Sequence, residues 1–162
     1  MYAVCLRSTT VDDLDFVVSA ERELDNEPFI MRWSRNRHAA ALSDPDIAHR
    51  VLEHESFGRV GFVIVVGLAD PHENLEFRRV VITEKRRGFG RAAVRLVKRF
   101  AFVERRAHRL WLDVKEENHR ARSLYESEGF ILEGVLRECV KGSKGFESLM
   151  VMSILAHEYR EA

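Results

Sequence analysis

A chain of 162 residues has the size of one domain, and 1–162 is expected to form a single one. Its 26 Lys+Arg balance 26 Asp+Glu, which excludes bulk charge as the means of holding nucleic acid or an acidic membrane. Hydrophobic residues at 46% can fill one core, while 3 Pro and 9 Gly exclude a collagen-like or low-complexity chain.

In chain order, Ala3–Arg7 alternates weakly and predicts a short strand. Thr10, with Asp13 three residues on, reads as the N-cap of a helix running through Leu14, Val17, Val18 and Leu24. Residues 25–57 are the least periodic; Asn26-Glu-Pro28 and Ser43-Asp-Pro45 divide them into short helical pieces, and Phe29, Ile30 and Trp33 suggest a roof over a pocket. Gly61–Gly67 is a continuous apolar strand, 69–74 a turn and Leu75–Ile82 a second strand. A glycine loop precedes a strong helix over Arg91–Arg106. Arg109–Val114 alternates as a strand, and His119–Glu128 is a short helix with Gly129 as its C-cap. Phe130–Arg137 and Phe146–Leu155 follow as two strands joined by the turn Gly142–Gly145. The order β-α-α-β-β-α-β-α-β-β predicts an α/β chain, a mixed sheet with helices on both faces.

No stretch approaches the ~20 apolar residues that span a bilayer, and Met1–Arg7 lacks the pattern of a signal peptide, so no membrane partner is expected and the cytoplasm follows by default. Cys5 and Cys139 read as reduced core thiols. His49 and His54, five residues apart, fall on different helix faces with no Cys cluster beside them, so no metal site is expected. Arg95, Lys98, Arg99, Arg105, Arg106 and Arg109 interleave with an apolar stripe and read as a solvated face, so no nucleic acid is expected either. Trp33 and Trp111 are expected in the core.

The loop Lys85-Arg86-Arg87-Gly88-Phe89-Gly90-Arg91, between strand and helix, has the make-up of a phosphate cradle. Glycines let the backbone approach an anion, the helix's first N–H groups stabilise negative charge, and Lys85, Arg86, Arg87 and Arg91 add cations. Gly88-x-Gly90-x-x-Ala93 also fits a dinucleotide fingerprint, with Asp113 about where a ribose-binding acid would lie. Against that reading, the motif falls mid-chain after two strands, and too few residues follow for the rest of a doubly wound sheet.

Downstream runs Asn118-x-x-Ala121-x-x-Leu124-Tyr125-x-x-x-Gly129-Phe130. With the glycine loop, this pattern resembles the GNAT superfamily of N-acetyltransferases, in the branch containing ribosomal-protein N-terminal and spermidine acetyltransferases. The strong match covers residues 58–137. The resemblance implies a three-layer fold with a largely antiparallel mixed sheet. It implies acetyl-CoA as co-substrate, no metal, direct transfer to a primary amine (a polyamine-like molecule or a protein N-terminus), and dimers as a common state. Counting from Gly88 and Gly90 puts Lys85 at the family's Gln/Arg position; counting Arg87-x-x-Gly90-x-Ala92 shifts the loop by two. In both registers the anion cradle is 85–92. Pantetheine would pair with the strand end Val81-Ile82-Thr83, and Asn118 would hold its other side.

A lysine-like amine of pKa about 10.4 costs roughly 4.6 kcal/mol to deprotonate at pH 7, against about 1.4 kcal/mol for an N-terminal amine near 8. A base is therefore wanted. The family often keeps a Glu on the strand entering the loop, and Glu76 is the candidate; six residues before Ile82, it is expected on the same side. A surface carboxylate paired with Arg78 is the structural alternative. Tyr125, nearly two turns from Asn118 and so on one helix face with it, is the candidate acid for the departing thiolate; an aromatic core residue is the alternative. Acceptor choice is expected in residues 25–57 and 139–147, with Glu23, Asp25 and Glu27 able to attract a cationic amine. Two other functions stay open: a catalytically silent acyl-CoA-binding module, and a nucleotide-binding oxidoreductase.

Overall fold

A computed structural model describes residues 4–23 and 31–162. Seven strands form one sheet: β1 Val4–Ser8, β2 Ile47–His54, β3 Gly58–Val66, β4 Asn74–Ile82, β5 Arg109–Lys115, β6 Ile131–Gly142 and β7 Gly145–Leu155. Their spatial order is β1-β2-β3-β4-β5-β7-β6, and only β4 and β5 run parallel. Helices α1 Leu14–Glu21 and α2 Arg35–Ala41 cover one face, and α3 Phe89–Arg99 and α4 His119–Ser127 the other. The expected mixed sheet between helical layers is present, and a doubly wound parallel sheet is not.

The apolar run in β3 is explained by burial on both faces. Val63 and Val65 pack toward α3, while Phe62 and Ile64 pack toward α1 and α2. Each such side chain contributes roughly 1.5–3 kcal/mol by leaving water. Gly61 on the same strand is dictated by close approach, since a Cβ there would lie 2.2 Å from the Val81 carbonyl oxygen.

Several expectations are corrected. The sequence predicts six strands; the seventh, β2, lies within the 25–57 stretch expected to form short helical pieces. Both faces of β2 are covered, so Ala48 and His49 are both buried, as are Val51 and Leu52, and no alternation marks the strand. His49 and His54 therefore lie on a strand, not on a helix. Thr10 and Asp13 do form the expected cap, with the Thr10 N–H donating to the Asp13 carboxylate at 2.9 Å, but the first turn is 3-10 and α1 ends at Glu21. Helix α3 starts at Phe89 and widens after Arg99 into a π turn, in which the Arg105 N–H reaches the Phe100 carbonyl at 2.9 Å. Cys5 and Cys139 are free but exposed rather than in the core, because each sits on an edge strand. Trp33 is buried; Trp111 is only half-buried and lines a cleft. The basic stretch is solvated only in part: Arg99, Arg105 and Arg106 are exposed, whereas Lys98 is buried and grips Glu128 together with Arg95, and Arg109 pairs with Glu133.

Under α1 and α2 lies a buried polar chain. Thr9 Oγ1 is 2.8 Å from His49 Nδ1, His49 Nε2 is 3.0 Å from His38 Nδ1, and His38 Nε2 is 3.2 Å from the Glu21 carboxylate. Glu21 also pairs with Arg79 and accepts the Trp33 N–H at 3.1 Å. Burial, with the neighbouring His38 charge, depresses His49 to about 4 from 6.5. Between these values the unfolded chain binds more protons than the native one. Stability from this group is therefore present above about pH 6.5 and is lost as pH falls, by about 2 kcal/mol at pH 5. Urea midpoints should drop between pH 7.5 and 5, and drop less in His49→Gln; equal drops in both proteins would remove His49 as the cause.

Candidate active site

Strands β4 and β5 pair over only three residues each: Asn74 with Arg109, Leu75 with Leu110, and Glu76 with Trp111. They then diverge, β4 staying on β3 and β5 on β7. The wedge between them opens a cleft of about 1280 Å³, bordered by the loop before α3, the start of α4 and the tip of the β6–β7 hairpin. The 139–147 turn, expected to take part in acceptor choice, thus reaches the cleft through Val140, Lys141, Gly142 and Glu147.

The loop is built as the sequence suggests. Gly88 adopts φ 80° as the N-cap of α3, a left-handed residue leading into a right-handed helix, which turns successive N–H groups to one side. The first helical bond is donated by Ala92 to the Gly88 carbonyl, so Phe89, Gly90 and Arg91 have N–H groups without a partner in the helix. A Cβ at Gly90 would meet nothing closer than Leu124 at 3.6 Å; glycine there keeps the cleft floor clear rather than relieving a clash.

The cations are not equivalent. Lys85 and Arg86 line the cleft. Arg87 turns away, its guanidinium 4.5 Å from the Phe57 ring centroid and 3.7 Å from Glu84. Arg91 lines the cleft but is held by Glu128 at 2.5 Å and Ser127 at 3.0 Å. Phe89 is 4% exposed, with its ring among His54 and Phe57, so its N–H is what it can offer a ligand.

At the end of β4, two of the three residues expected to meet pantetheine, Val81 and Thr83, are engaged by β3. The Thr83 N–H donates to the Val60 carbonyl at 2.9 Å, and the Val81 carbonyl faces Gly61. Strand alternation then turns the peptide groups of Val80 and Ile82 toward the cleft, whereas those of Val81 and Thr83 are engaged by β3. Val80 and Ile82 line the cleft. Asn118 caps α4, its Oδ1 accepting the Ala121 N–H at 3.3 Å, which leaves its NH₂ to donate into the cleft.

Glu76 is not on the side of Ile82. Arg79 faces Ile64 and Phe77 faces Val65 across β3, so Arg78 is an extra residue, a bulge that inverts the alternation. Leu75, Phe77, Val80 and Ile82 pack toward α3, which puts Glu76 on the α1–α2 face together with Val81. There both Glu76 oxygens accept from Arg78, at 2.7 Å from Nε and 2.8 Å from Nη2, and the Glu76 side chain is 12% exposed.

Tyr125 is buried on the α3–α4 face, with its ring 6.5 Å from Phe77 and 5.7 Å from Phe130. Its edge reaches the cleft. Burial, and then the Asp113 charge, push its hydroxyl well above the ordinary tyrosine value. In the sequence, Asp113 stands out only by its spacing from the dinucleotide-like fingerprint. It lies on β5 opposite the buried Leu112 and Val114 and lines the cleft. Desolvation by the cleft walls and the Glu76 charge raise its carboxyl, while Arg78 opposes them. The β5 alternation alone could have placed Asp113 on this face; the divergence of β4 could not be read from it. Glu23 is described but does not line the cleft, and Phe29, Ile30, Asp25 and Glu27 lie outside the described residues.

Among the described residues no cluster of three or more His, Cys, Asp or Glu could hold a metal ion, and no helix is long and apolar enough to cross a membrane. Residues 3–131 match the acetyltransferase (GNAT) domain family. A spermidine N(1)-acetyltransferase of Escherichia coli is 25% identical, the alignment covering 98% of this chain and 89% of the relative. One from Vibrio cholerae is 28% identical over 67% of this chain and 64% of its own length. The crystal structure of a Vibrio cholerae spermidine N-acetyltransferase in complex with CoA and spermine superposes with a TM-score of 0.88 at 23% identity, covering 97% of this chain and 98% of that one, and so shares the fold. A matched domain that takes in the diverging strands, the glycine loop and the capped α4 places this chain in the GNAT acetyltransferase family.

Proposed function

We propose that this acetyl-CoA-dependent N-acetyltransferase passes the acetyl group directly to a primary amine, either a polyamine-like molecule or a protein N-terminal amine. The observation that carries the reading is the gap between β4 and β5, where two differently built faces meet. On the α3–α4 side stand the N–H nest, the outward peptide groups of Val80 and Ile82, the Asn118 amide and Tyr125. On the α1–α2 side stand the carboxylates Glu76 and Asp113. The first side suits the donor: the nest and its cations seat pyrophosphate, and a pantetheine arm bearing amides can lie along the end of β4 as a peptide would. The second suits a cationic acceptor.

In this reading Tyr125 donates a hydrogen bond to the departing thiolate, and the acceptor's proton leaves toward the carboxylates. The polyamine choice is favoured by the relatives named spermidine N(1)-acetyltransferase. A cytoplasmic location accords with two free cysteines. A homodimer accords with exposed apolar side chains on the sheet-edge hairpin, Ile131 and Phe146 among them, and a doubled mass in sedimentation equilibrium would show it.

Thiol release from acetyl-CoA, measured against polyamines and short peptides, tests the reading. Amine-dependent release is expected. Binding of CoA without release from any amine would leave a silent acyl-CoA-binding module instead.

A further inference from the structure

The bulge at Arg78 commits Glu76 to an ion pair and leaves a second carboxylate facing the same space. Glu76 spends both oxygens on Arg78. Asp113, one strand across the gap, is exposed to the cleft, and no described residue makes a hydrogen bond or ion pair with it. Its charge is felt at Tyr125, so it stands near the hydroxyl that the proposed mechanism aims at sulfur. An acceptor entering from the α1–α2 face meets this unpaired carboxylate before the gap. We propose that Asp113, rather than Glu76, is the catalytic residue that takes the proton from the acceptor amine.

The proposal rests on the N-acetyltransferase reading and completes its proton balance. The ammonium loses one proton to Asp113, which later sheds it to water. The nitrogen lone pair forms the C–N bond to the thioester carbonyl carbon. The C–S bond breaks and its electron pair leaves on sulfur. The second proton of the nitrogen ends on sulfur, relayed by the Tyr125 hydroxyl, which finishes unchanged. Glu76 and Arg78 of β4 and Tyr125 of α4 are the titratable or charged groups that face Asp113; its β7 partner is Val151, and the neighbouring Lys115 is held by Glu147 at 2.9 Å. A base works best when its pKa approaches the operating pH, and confinement with the Glu76 charge moves the Asp113 carboxyl in that direction.

Asp113→Asn and Glu76→Gln should separate the two carboxylates. Asp113→Asn is expected to lower kcat/KM for the amine about 100-fold and abolish the acidic limb of its pH profile, with the KM for acetyl-CoA unchanged. Glu76→Gln should keep that limb but move it to lower pH, because a negative charge that raises Asp113 has gone. CoA binding by both variants checks that they fold. An active wild type whose Asp113→Asn variant keeps the acidic limb and comes within threefold in kcat/KM would overturn this inference alone. A wild type inactive toward every amine would overturn the function reading and this inference together.

Discussion

Replacing Tyr125 with phenylalanine is expected to lower kcat about 100-fold while leaving CoA affinity unchanged, the size of effect seen when one preorganised donor to a developing negative charge is removed. The ring remains, packed on Phe77 and Phe130, so the fold should stand. The hydroxyl makes no hydrogen bond to any described residue, so its deletion strands no partner. Burial raises its pKa, which keeps it protonated across the neutral range. A thiol near 8.5 is the stronger acid of the two, so Tyr125 cannot hand over a proton and remain a phenolate at low cost. It acts as a donor while the charge grows on sulfur and as a relay for the proton that nitrogen gives up. Saturating turnover and a calorimetric CoA titration make the comparison. Equal kcat in the two proteins would take Tyr125 out of the mechanism.

The largest stability loss is expected at Glu21. Its carboxylate is 1% exposed and is shared by Arg79, His38 and the Trp33 N–H. Burial alone would raise its pKa, but His38 and Arg79 outweigh that and hold it ionised and low. Glu21→Ala leaves a buried guanidinium uncompensated, a change that typically costs about 3–5 kcal/mol, a large part of a domain's total of roughly 5–15 kcal/mol. Arg79 also donates to the Met31 carbonyl at 2.7 Å, and both residues line the cleft. Loss of Glu21 should therefore raise the KM for the amine more than that for acetyl-CoA. Urea unfolding reads the first effect and initial rates the second. A change under about 1 kcal/mol would show that this buried pair contributes little net stability, as replacement of both partners sometimes does.

The sequence by itself determined whatever depends on near neighbours in the chain. The Thr10–Asp13 cap, the apolar stripe of α3, the Gly88 turn at its N-terminus and the Asn118 cap of α4 are each set within a few residues, so spacing and residue type suffice to place them. The loop as an anion cradle and the family resemblance follow from those same local patterns. Other features were decided only by tertiary structure. Strand β2 is masked in the sequence because both its faces are covered, which erases the period-two signal. A single extra residue at Arg78 inverts the faces of β4, so spacing counted from Ile82 puts Glu76 on the wrong side. Parting of β4 from β5 after three pairs opens the cleft and leaves Asp113, two residues beyond the Glu76–Trp111 pair, facing it. The grip of Glu128 on Arg91, Arg95 and Lys98 turns an exposed-looking basic run into a helix-to-helix anchor. Each of these depends on pairing between residues far apart in the chain, whose partners no local periodicity encodes.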